Sequence, residues 1–343
     1  MLLNKTPDTT VLINGKEHLY FSGTSYLGIS NSSEFQEILF NNIKTWGSSY
    51  GSSRKANIKL NVFEKSEKWL SEFLKTEDCV TLSSGTLAGL LTLSFLEKKV
   101  DSFFYMPKTH PAILSKKAQP VYKDKVLNPL LLNDKKETIC IAVDAIATFE
   151  TTPYCFNFLQ KISSNKKVYL LIDESHSLGV LGKNGIGISS EININNYIEK
   201  IIVSSFTKAF GINGGLISGS KDFMSAIRNE ALYTGSAPMN PAFLESLVNA
   251  HGLYKNQLLK LKDNCNFVFN KINHLDKIRM SKNYPVFFVD DDNIVDFLLS
   301  KEIIITSFFY ATSPKKINRI VLNANHTKEQ LTNLCNSLNL FCK

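Results

Sequence analysis

The sequence predicts an α/β fold built on a buried, mostly parallel sheet, and three segments carry this prediction. Residues 168–172 and 201–203 are short apolar runs rich in strand-forming residues, as is typical of strands covered on both faces. Residues 79–82 indicate a third strand, which a Ser-Ser-Gly-Thr turn joins to an apolar helix beginning near Leu87. Because ligands in such sheets bind beyond the carboxyl ends of the strands, the residues after each run are the first candidates for a functional site.

Lys208 lies just past the predicted strand at 201–203, among hydroxyl residues and glycines. Ser205 and Thr207 precede it and Gly211 follows it. A lysine with an ordinary pKa of about 10.4 is almost fully protonated at pH 7, whereas a lysine held as an imine avoids that penalty. The hydroxyls suit the phosphate of pyridoxal phosphate (PLP), and the glycines let the backbone approach its ring. Lys208 is therefore a candidate PLP lysine; for this segment alone, the alternative is a solvated loop lysine.

Asp173 ends the run at 168–172, and the chain between it and Lys208 is long enough for a helical crossover to a neighbouring strand. A carboxylate at a strand end can keep the pyridine nitrogen of PLP protonated while a lysine on the adjacent strand holds the aldehyde. Gly85 and Thr86 open the predicted helix, where backbone N–H groups without helical partners can bind a phosphate. Taken alone, Asp173 could instead be the N-cap of a following helix. The turn at Gly85, taken alone, could equally bind no ligand.

Five motifs, in one order along the chain, extend this pattern. They occupy residues 46–54, 82–85, 109–112, 173–182 and 206–211. Together they resemble the α-oxoamine synthases, PLP enzymes that condense an amino acid with an acyl thioester and lose carbon dioxide. The resemblance covers nearly the whole chain. It implies the PLP-dependent transferase fold of type I, with a large domain on a mostly parallel mixed sheet and a smaller C-terminal α/β domain.

The resemblance also implies roles for individual residues. Lys208 would hold PLP as a Schiff base and later move the α-proton of the amino acid, and Asp173 would pair with the pyridine nitrogen. His176 would hydrogen-bond the phenolic oxygen of the ring, and His110 would stack on its face. The remaining cofactor residues implied are Gly85, Thr86, Ser205 and Thr207 at the phosphate, Ser236 there from a second subunit, and Thr148 near the substrate.

Arginines are scarce, which makes their positions informative. Only four of the 39 basic residues are arginines, and two of these fall on family positions. Arg319 matches the arginine that binds the α-carboxylate, a task for which a planar guanidinium is suited; the alternative is a surface residue opening a strand. Arg54 and Ser53 match a substrate-binding segment, and Ser53 implies room for the methyl group of alanine. Ser25 stands where the family usually has an asparagine.

Three segments depart from the family pattern. Thr24 and Ser25 precede the Tyr-Leu-Gly motif, residues 57–59 and Phe63 replace a Ser-Gly-Thr and a histidine, and residues 308–312 replace a proline-rich stretch. These segments line the acyl entrance in relatives. The sequence therefore does not identify the acyl chain, nor whether its carrier is coenzyme A or an acyl carrier protein.

The most specific reaction that the resemblance implies is the 8-amino-7-oxononanoate synthase step of biotin biosynthesis, from alanine and a pimeloyl thioester. Members that use glycine or serine, such as 2-amino-3-ketobutyrate CoA ligase and serine palmitoyltransferase, are the alternatives. A fold type I aminotransferase or lyase would share Lys208 and Asp173 and is an alternative from another class. A non-catalytic protein of this fold is less favoured, because the residues needed to hold PLP are present.

Composition sets the frame. The 343 residues, 43% of them hydrophobic, suffice for an N-terminal arm at 1–32, a large domain at 33–236 and a small domain at 237–343. The arm should contain a hairpin around Asn14 and Gly15, and the small domain amphipathic helices with one strand pair. Relatives build their sites across a subunit interface, so we expect a homodimer.

Charge and cysteine usage narrow the partners. The net charge of +8 comes from dispersed lysines without an aromatic stripe, which argues against nucleic acid and suits an anionic acyl carrier. Six cysteines show no paired metal spacing, so no metal is expected. Without a signal-peptide layout or a long apolar run, we expect a cytoplasmic protein with no membrane span.

Overall fold

The computed structural model describes residues 2–309 and 316–343. Within these ranges the strands are β1 Thr10–Ile13, β2 Lys16–Phe21, β3 Asp78–Leu82, β4 Ser102–Tyr105, β5 Gln119–Pro120, β6 Tyr122–Lys123, β7 Val126–Leu127, β8 Glu137–Asp144, β9 Lys166–Asp173, β10 Ile198–Ser205, β11 Gly215–Gly219, β12 Ile278–Arg279, β13 Val286–Val289, β14 Ile303–Phe309 and β15 Lys316–Val321. The α-helices are α1 Ser33–Trp46, α2 Asn61–Leu74, α3 Gly85–Leu96, α4 Pro129–Leu132, α5 Lys221–Ile227, α6 Ala231–Gly235, α7 Pro241–Asn249, α8 His251–Ile272, α9 Ile294–Ser300 and α10 Lys328–Phe341. In this part of the chain, every helix is too short or too polar to cross a bilayer.

The chain divides into two compact units, each with its own sheet. The central unit contains Glu37–Thr207 and Ile212–His251. The terminal unit contains the chain up to Gln36, the short piece Lys208–Gly211 and the chain from Gly252 onward. The domain boundaries after residues 32 and 236 stay a prediction.

The sheet of the central unit has the order β3-β11-β10-β9-β8-β4-β5. Strands β4, β8, β9 and β10 run parallel, and β11 is antiparallel to β10 and β3. The three strands predicted from apolar runs are confirmed, as parts of β3, β9 and β10. Because β8, β9 and β10 are parallel neighbours, their carboxyl ends meet at one edge, with Asp144 opposite Asp173 and Asp173 opposite Val203.

Apolar residues cover both faces of this sheet. Leu171 of β9 lies in a buried cluster with Leu91 of α3 and Met224 of α5. Leu170 and Ile172 point to the opposite face, because side chains alternate along a strand, and lie in a second buried cluster. This double burial explains why β9 is a continuous apolar run in the sequence.

The connection from β9 to β10, which lies wholly within the described residues, is long enough for a helical crossover but contains no α-helix. It contains only the 3-10 turns Lys183–Gly185 and Ser189–Glu191. Four glycines in this segment have positive φ values between 72° and 83°, which an α-helix does not tolerate. The fully buried carboxylate of Glu174 accepts hydrogen bonds from Ser177 Oγ and from the N–H groups of Ile188 and Ser189, and so replaces helical bonding in this segment.

The sheet of the terminal unit has the order β1-β2-β14-β15-β13-β12. The predicted hairpin is confirmed: β1 pairs with β2, and Asn14 and Gly15 have φ values of 51° and 79°, as a type I′ turn requires. Strand β2 then pairs in parallel with β14, which joins the start of the chain to its end. The sequence predicted one strand pair in the C-terminal domain, whereas four strands follow α8 in the described part of the chain.

Candidate active site

Asp173 is fixed at the edge where β8, β9 and β10 end. Its side chain is half-buried, and Oδ1 accepts the N–H of Ser175 at 2.8 Å, which closes a tight turn rather than starting an α-helix. The hydroxyl of Ser175 in turn accepts the N–H of Ser205 at 2.9 Å. Asp173 is therefore linked through one residue to the end of β10, where the predicted phosphate residues begin.

The predicted phosphate residues form a cradle at the start of α3. Ser84 caps this helix by accepting the N–H of Leu87 at 3.1 Å, so the first-turn N–H groups of Gly85 and Thr86 have no intrahelical partner. A Cβ on Gly85 would lie 2.6 Å from Ser205 Cβ, which shows how closely the two backbones approach. Ser205 Oγ and the exposed Thr207 Oγ1 share a hydrogen bond of 2.5 Å. Backbone donors and two hydroxyls thus converge, as an anion requires.

Lys208 follows this cradle in the loop between β10 and β11. The loop is closed within the central unit by hydrogen bonds from Phe206 N–H to Gly214 O at 3.0 Å and from Ile212 N–H to Phe206 O at 3.3 Å. Lys208 itself is half-buried and is grouped with the terminal unit. In that unit Phe210 packs edge-on against Tyr254, with ring centroids 5.0 Å apart.

His110, Thr148 and His176 lie in loops that follow strands of the central sheet, and all three are half-buried. His110 precedes a 3-10 turn, and its Nδ1 accepts the N–H of Ala112 at 3.2 Å. Its own backbone N–H donates to Asp144 Oδ1 at 3.1 Å. Sequence reasoning did not select Asp144, although it ends an apolar strand just as Asp173 does.

Ser236 follows α6, and its hydroxyl is buried without a hydrogen-bond partner among the described residues. Buried hydroxyls are nearly always paired, so an orphan of this kind indicates a missing partner. The role that the resemblance gives Ser236, as a phosphate contact toward a second subunit, stays a prediction.

Arg54 already has a carboxylate partner. Its Nη1 and Nη2 donate to Glu67 Oε1 and Oε2 at 2.5 and 2.8 Å, and its guanidinium lies 4.3 Å from the ring centre of Phe63. Ser53 donates to Thr234 O at 3.1 Å. A cavity of about 860 Å³ opens beside this ion pair. The substrate roles of Ser53 and Arg54 stay predictions, and the geometry shows that Arg54 also anchors its own segment to α2.

Arg319 lies in β15 of the terminal unit and lacks such a partner. Its Nη2 donates to Gly23 O at 3.3 Å, while its buried Nε has no acceptor among the described residues. None of the carboxylates described lies within 4 Å of its guanidinium. Burial raises the pKa of the neighbouring Tyr26 phenol, which keeps that group uncharged.

The segments that depart from the family pattern are only partly described. The ring of Phe63 lies against Arg54. Ser25 lies in the terminal unit, where its carbonyl accepts the N–H of Gly28 at 3.0 Å. Phe309 is 64% exposed, whereas Tyr310, Ala311 and Thr312 lie outside the described residues.

Comparison with known proteins agrees with this arrangement. The class I and II aminotransferase family model matches residues 155–338. An 8-amino-7-oxononanoate synthase from Petrotoga mobilis is 28% identical over 93% of this chain and 87% of its own length. A serine palmitoyltransferase from Bacteriovorax stolpii is 25% identical over 96% and 84%.

Solved structures show the same fold. A serine palmitoyltransferase from S. paucimobilis, solved with a bound PLP-myriocin aldimine, has a TM-score of 0.84 at 16% identity, over 99% of this chain and 91% of its own. The predicted type I fold and the predicted resemblance to α-oxoamine synthases are therefore confirmed.

Proposed function

Because the chain belongs to the class I and II aminotransferase family, we propose that it is a PLP-dependent acyltransferase of the α-oxoamine synthase type. It condenses a small amino acid with an acyl thioester and releases the amino acid's carboxyl group as carbon dioxide. The observation that carries the proposal is the carboxyl edge of the central sheet. There Asp173 is tied through Ser175 to Ser205, beside the cradle at Gly85.

The residues present fit PLP. Gly85 lacks the Cβ that would clash with Ser205, so the start of α3 and the end of β10 lie close enough for their N–H and hydroxyl groups to bind one phosphate. The N–H groups of Gly85 and Thr86 and the hydroxyls of Ser205 and Thr207 would hold the phosphate. The remaining contacts that the family pattern supports are Asp173 at the pyridine nitrogen, His176 at the phenolic oxygen, His110 on the ring face, Lys208 at the aldehyde carbon, Thr148 near the substrate and Ser236 from a second subunit.

Each residue then has a defined task. Once bound, PLP supplies an electron-withdrawing ring that stabilises negative charge on the α-carbon of an amino acid. Asp173, as a carboxylate, offsets the charge of the protonated pyridine nitrogen and so preserves that withdrawal. The Lys208 amine takes the proton from the α-carbon and later returns one. Arg319 orients the amino acid by binding its carboxylate through a planar fork of N–H donors.

For the substrates, we propose alanine and a pimeloyl thioester, the pair used in the 8-amino-7-oxononanoate synthase step of biotin biosynthesis. The most similar curated relative described above carries that name. Serine or glycine with another acyl chain is the second candidate, supported by the serine palmitoyltransferase relative. Exchange of the α-proton of alanine by the wild type separates them. A Ser53→Thr variant tests the role of Ser53: if this residue faces the substrate side chain, the added methyl weakens alanine binding more than glycine binding.

We further propose a cytoplasmic homodimer. The family pattern supports the dimer, since it gives Ser236 the role of a phosphate contact from a second subunit. The six cysteines are all free, which suits a reducing compartment. Sedimentation of the PLP-loaded protein tests the dimer, and a monomer that retains PLP and activity would contradict it.

The test of function has two stages. Borohydride reduction of the PLP-loaded protein followed by peptide mapping should place a pyridoxyl group on Lys208. Lys208→Ala should lose it, and Lys183→Ala, a control in an exposed loop, should keep it. Thiol release is then measured with alanine, glycine and serine against several acyl thioesters.

The competing reaction class is excluded or supported in the same assays. An aminotransferase would convert bound PLP to its pyridoxamine form with the amino acid alone and release no thiol. Modification of a lysine other than Lys208 would overturn the site, and the pyridoxamine form without thiol release would overturn the reaction.

A further inference from the structure

Asp144 is a buried carboxylate at the edge where the proposed cofactor residues meet. It is the last residue of β8, is only 4% exposed, and lies opposite Asp173 in the register of two parallel strands. Burying a carboxylate is unfavourable unless it accepts hydrogen bonds. Its Oδ1 accepts the backbone N–H of His110 at 3.1 Å, which ties His110 to the end of β8.

The segment that carries His110 is tied to the end of β8 by further hydrogen bonds. Met106 N–H donates to Ala142 O at 3.0 Å, and the Thr109 hydroxyl donates to Met106 O and Ala142 O at 2.7 and 3.3 Å. These bonds fix the chain up to Thr109. The bond from His110 N–H to Asp144 is the next one along the chain, and together with the bond from Ile113 N–H to His110 O at 3.1 Å it holds the backbone of His110.

The imidazole of His110 is fixed separately. Its Nδ1 accepts the N–H of Ala112 at 3.2 Å, so that nitrogen carries no proton in this arrangement. The two bonds act on different parts of the residue. Asp144 sets the position of the backbone, and Ala112 sets the rotation of the ring about its own bonds.

The same strand end is also tied to Asp173. The N–H of Ala145 donates to the backbone carbonyl of Asp173 at 2.8 Å. A displacement of Asp144 would therefore move both His110, which is proposed for the ring face, and Asp173, which is proposed for the ring nitrogen. The last residue of β8 connects these two contacts.

We propose that Asp144 is a positioning residue that places His110 against the face of the PLP ring. This inference rests on the proposed function, because it requires PLP at this edge of the sheet. Asp144 acts through its oxygen acceptor on the His110 N–H rather than through its negative charge.

Two substitutions separate the acceptor from the charge. Asp144→Asn keeps a side-chain oxygen that accepts the N–H of His110 but removes the charge. Its PLP dissociation constant should therefore stay within about threefold of the wild-type value. Asp144→Ala removes the acceptor, and PLP binding should weaken at least about tenfold, equivalent to about 1.4 kcal/mol. Asp144→Leu has a similar branched shape and a larger volume without an acceptor, and it serves if the cavity left by alanine prevents folding.

A double-mutant cycle tests whether the effect passes through His110. The PLP dissociation constant is measured for His110→Ala, for Asp144→Ala and for the double variant. If Asp144 acts only by placing His110, the double variant should bind PLP as His110→Ala does, because the two changes remove one interaction. Thermal unfolding of each variant without PLP records any loss of fold stability separately.

A control on the same strand separates positioning from a general loss of stability. Glu137 is also buried but lies at the opposite end of β8, where it pairs with Lys166 at 2.7 Å. Glu137→Ala should lower the unfolding temperature and leave the PLP dissociation constant unchanged. A purely structural role for Asp144 would make the two variants behave alike.

The outcomes are distinct. Additive effects of the His110 and Asp144 variants, or an Asp144→Asn variant as weak as Asp144→Ala, would overturn the positioning role while leaving the proposed function intact. If wild-type protein carries no pyridoxyl group on Lys208 after reduction, both the proposed function and this inference fail. A non-additive cycle, with asparagine preserving PLP binding, is the expected result.

Discussion

A single methyl group at Gly85 tests the phosphate cradle directly. In Gly85→Ala the new Cβ would lie 2.6 Å from Ser205 Cβ and 2.8 Å from Ser205 Cα. Carbon atoms pack at about 3.5–4.0 Å, so the start of α3 and the end of β10 must separate by about 1 Å. Rotating the Ser205 side chain cannot relieve the overlap, because Ser205 Cα belongs to the backbone.

The alanine at position 85 has two opposing effects on the free energy of unfolding, whereas it should only weaken PLP binding. Overpacking costs about 1–3 kcal/mol, and replacing a helical glycine with alanine returns about 0.5–1 kcal/mol, so the net loss is up to about 2.5 kcal/mol. A cradle widened by this amount loses at least one hydrogen bond to a charged phosphate, worth about 1.5–3 kcal/mol. PLP should therefore bind roughly 10- to 100-fold more weakly.

The assay is a PLP titration followed by absorbance, together with thermal unfolding of the protein without PLP. Gly252→Ala is the neutral control, because a Cβ there meets no atom within 4 Å. Gly219→Ala is the control for packing strain, since its Cβ would lie 3.2 Å from Lys200 O at the opposite end of β11. A folded Gly85→Ala protein that binds PLP as tightly as these two controls would refute the cradle.

Three further predictions concern stability, pH and substrate. Glu67→Ala should destabilise the fold by up to about 3 kcal/mol, because it leaves the Arg54 guanidinium, whose side chain is 12% exposed, without its carboxylate, whereas exposed Glu64→Ala on the same helix should change little in denaturant titrations. Burial lowers the pKa of His326 to about 4, below the 6.5 expected in the unfolded chain. The free energy of unfolding should therefore be highest above pH 6.5 and fall by about 3 kcal/mol as the pH drops to 4. His326→Gln should reduce this dependence of stability on pH. Arg319→Lys should weaken alanine binding at least about tenfold, and Arg279→Lys should not, as measured by the spectral change of bound PLP.

The parts of the site that the sequence predicts are those where local pattern and burial agree. Residues 168–172 could hardly be other than a doubly covered strand, so Asp173 at its end was identified correctly as a strand-end carboxylate. The hairpin at Asn14 and Gly15 was equally local, since two consecutive residues with positive φ require this kind of turn. In such segments the fold follows from a few adjacent residues.

Interactions between distant segments were beyond the sequence pattern. The length of the segment after Asp173 permits a helical crossover, yet the buried carboxylate of Glu174 organises this segment around backbone N–H groups fourteen and fifteen residues away. The pairing of β2 with β14 joins segments near opposite ends of the chain. Neither contact leaves a local periodicity, which is the signal that sequence analysis uses.

The two arginines at family positions illustrate why a residue's identity does not fix its task. Both terminal nitrogens of Arg54 donate to Glu67. A substrate carboxylate would therefore have to displace two charge-assisted hydrogen bonds before it formed its own. Arg319 has one bond, to Gly23 O, and a buried Nε without an acceptor among the described residues, so a carboxylate there would gain partners without breaking an internal ion pair. Carboxylate recognition therefore favours Arg319 on energetic grounds. Arg54 anchors the segment that contains Ser53 to α2, and we propose that it acts on substrate choice through the position of Ser53.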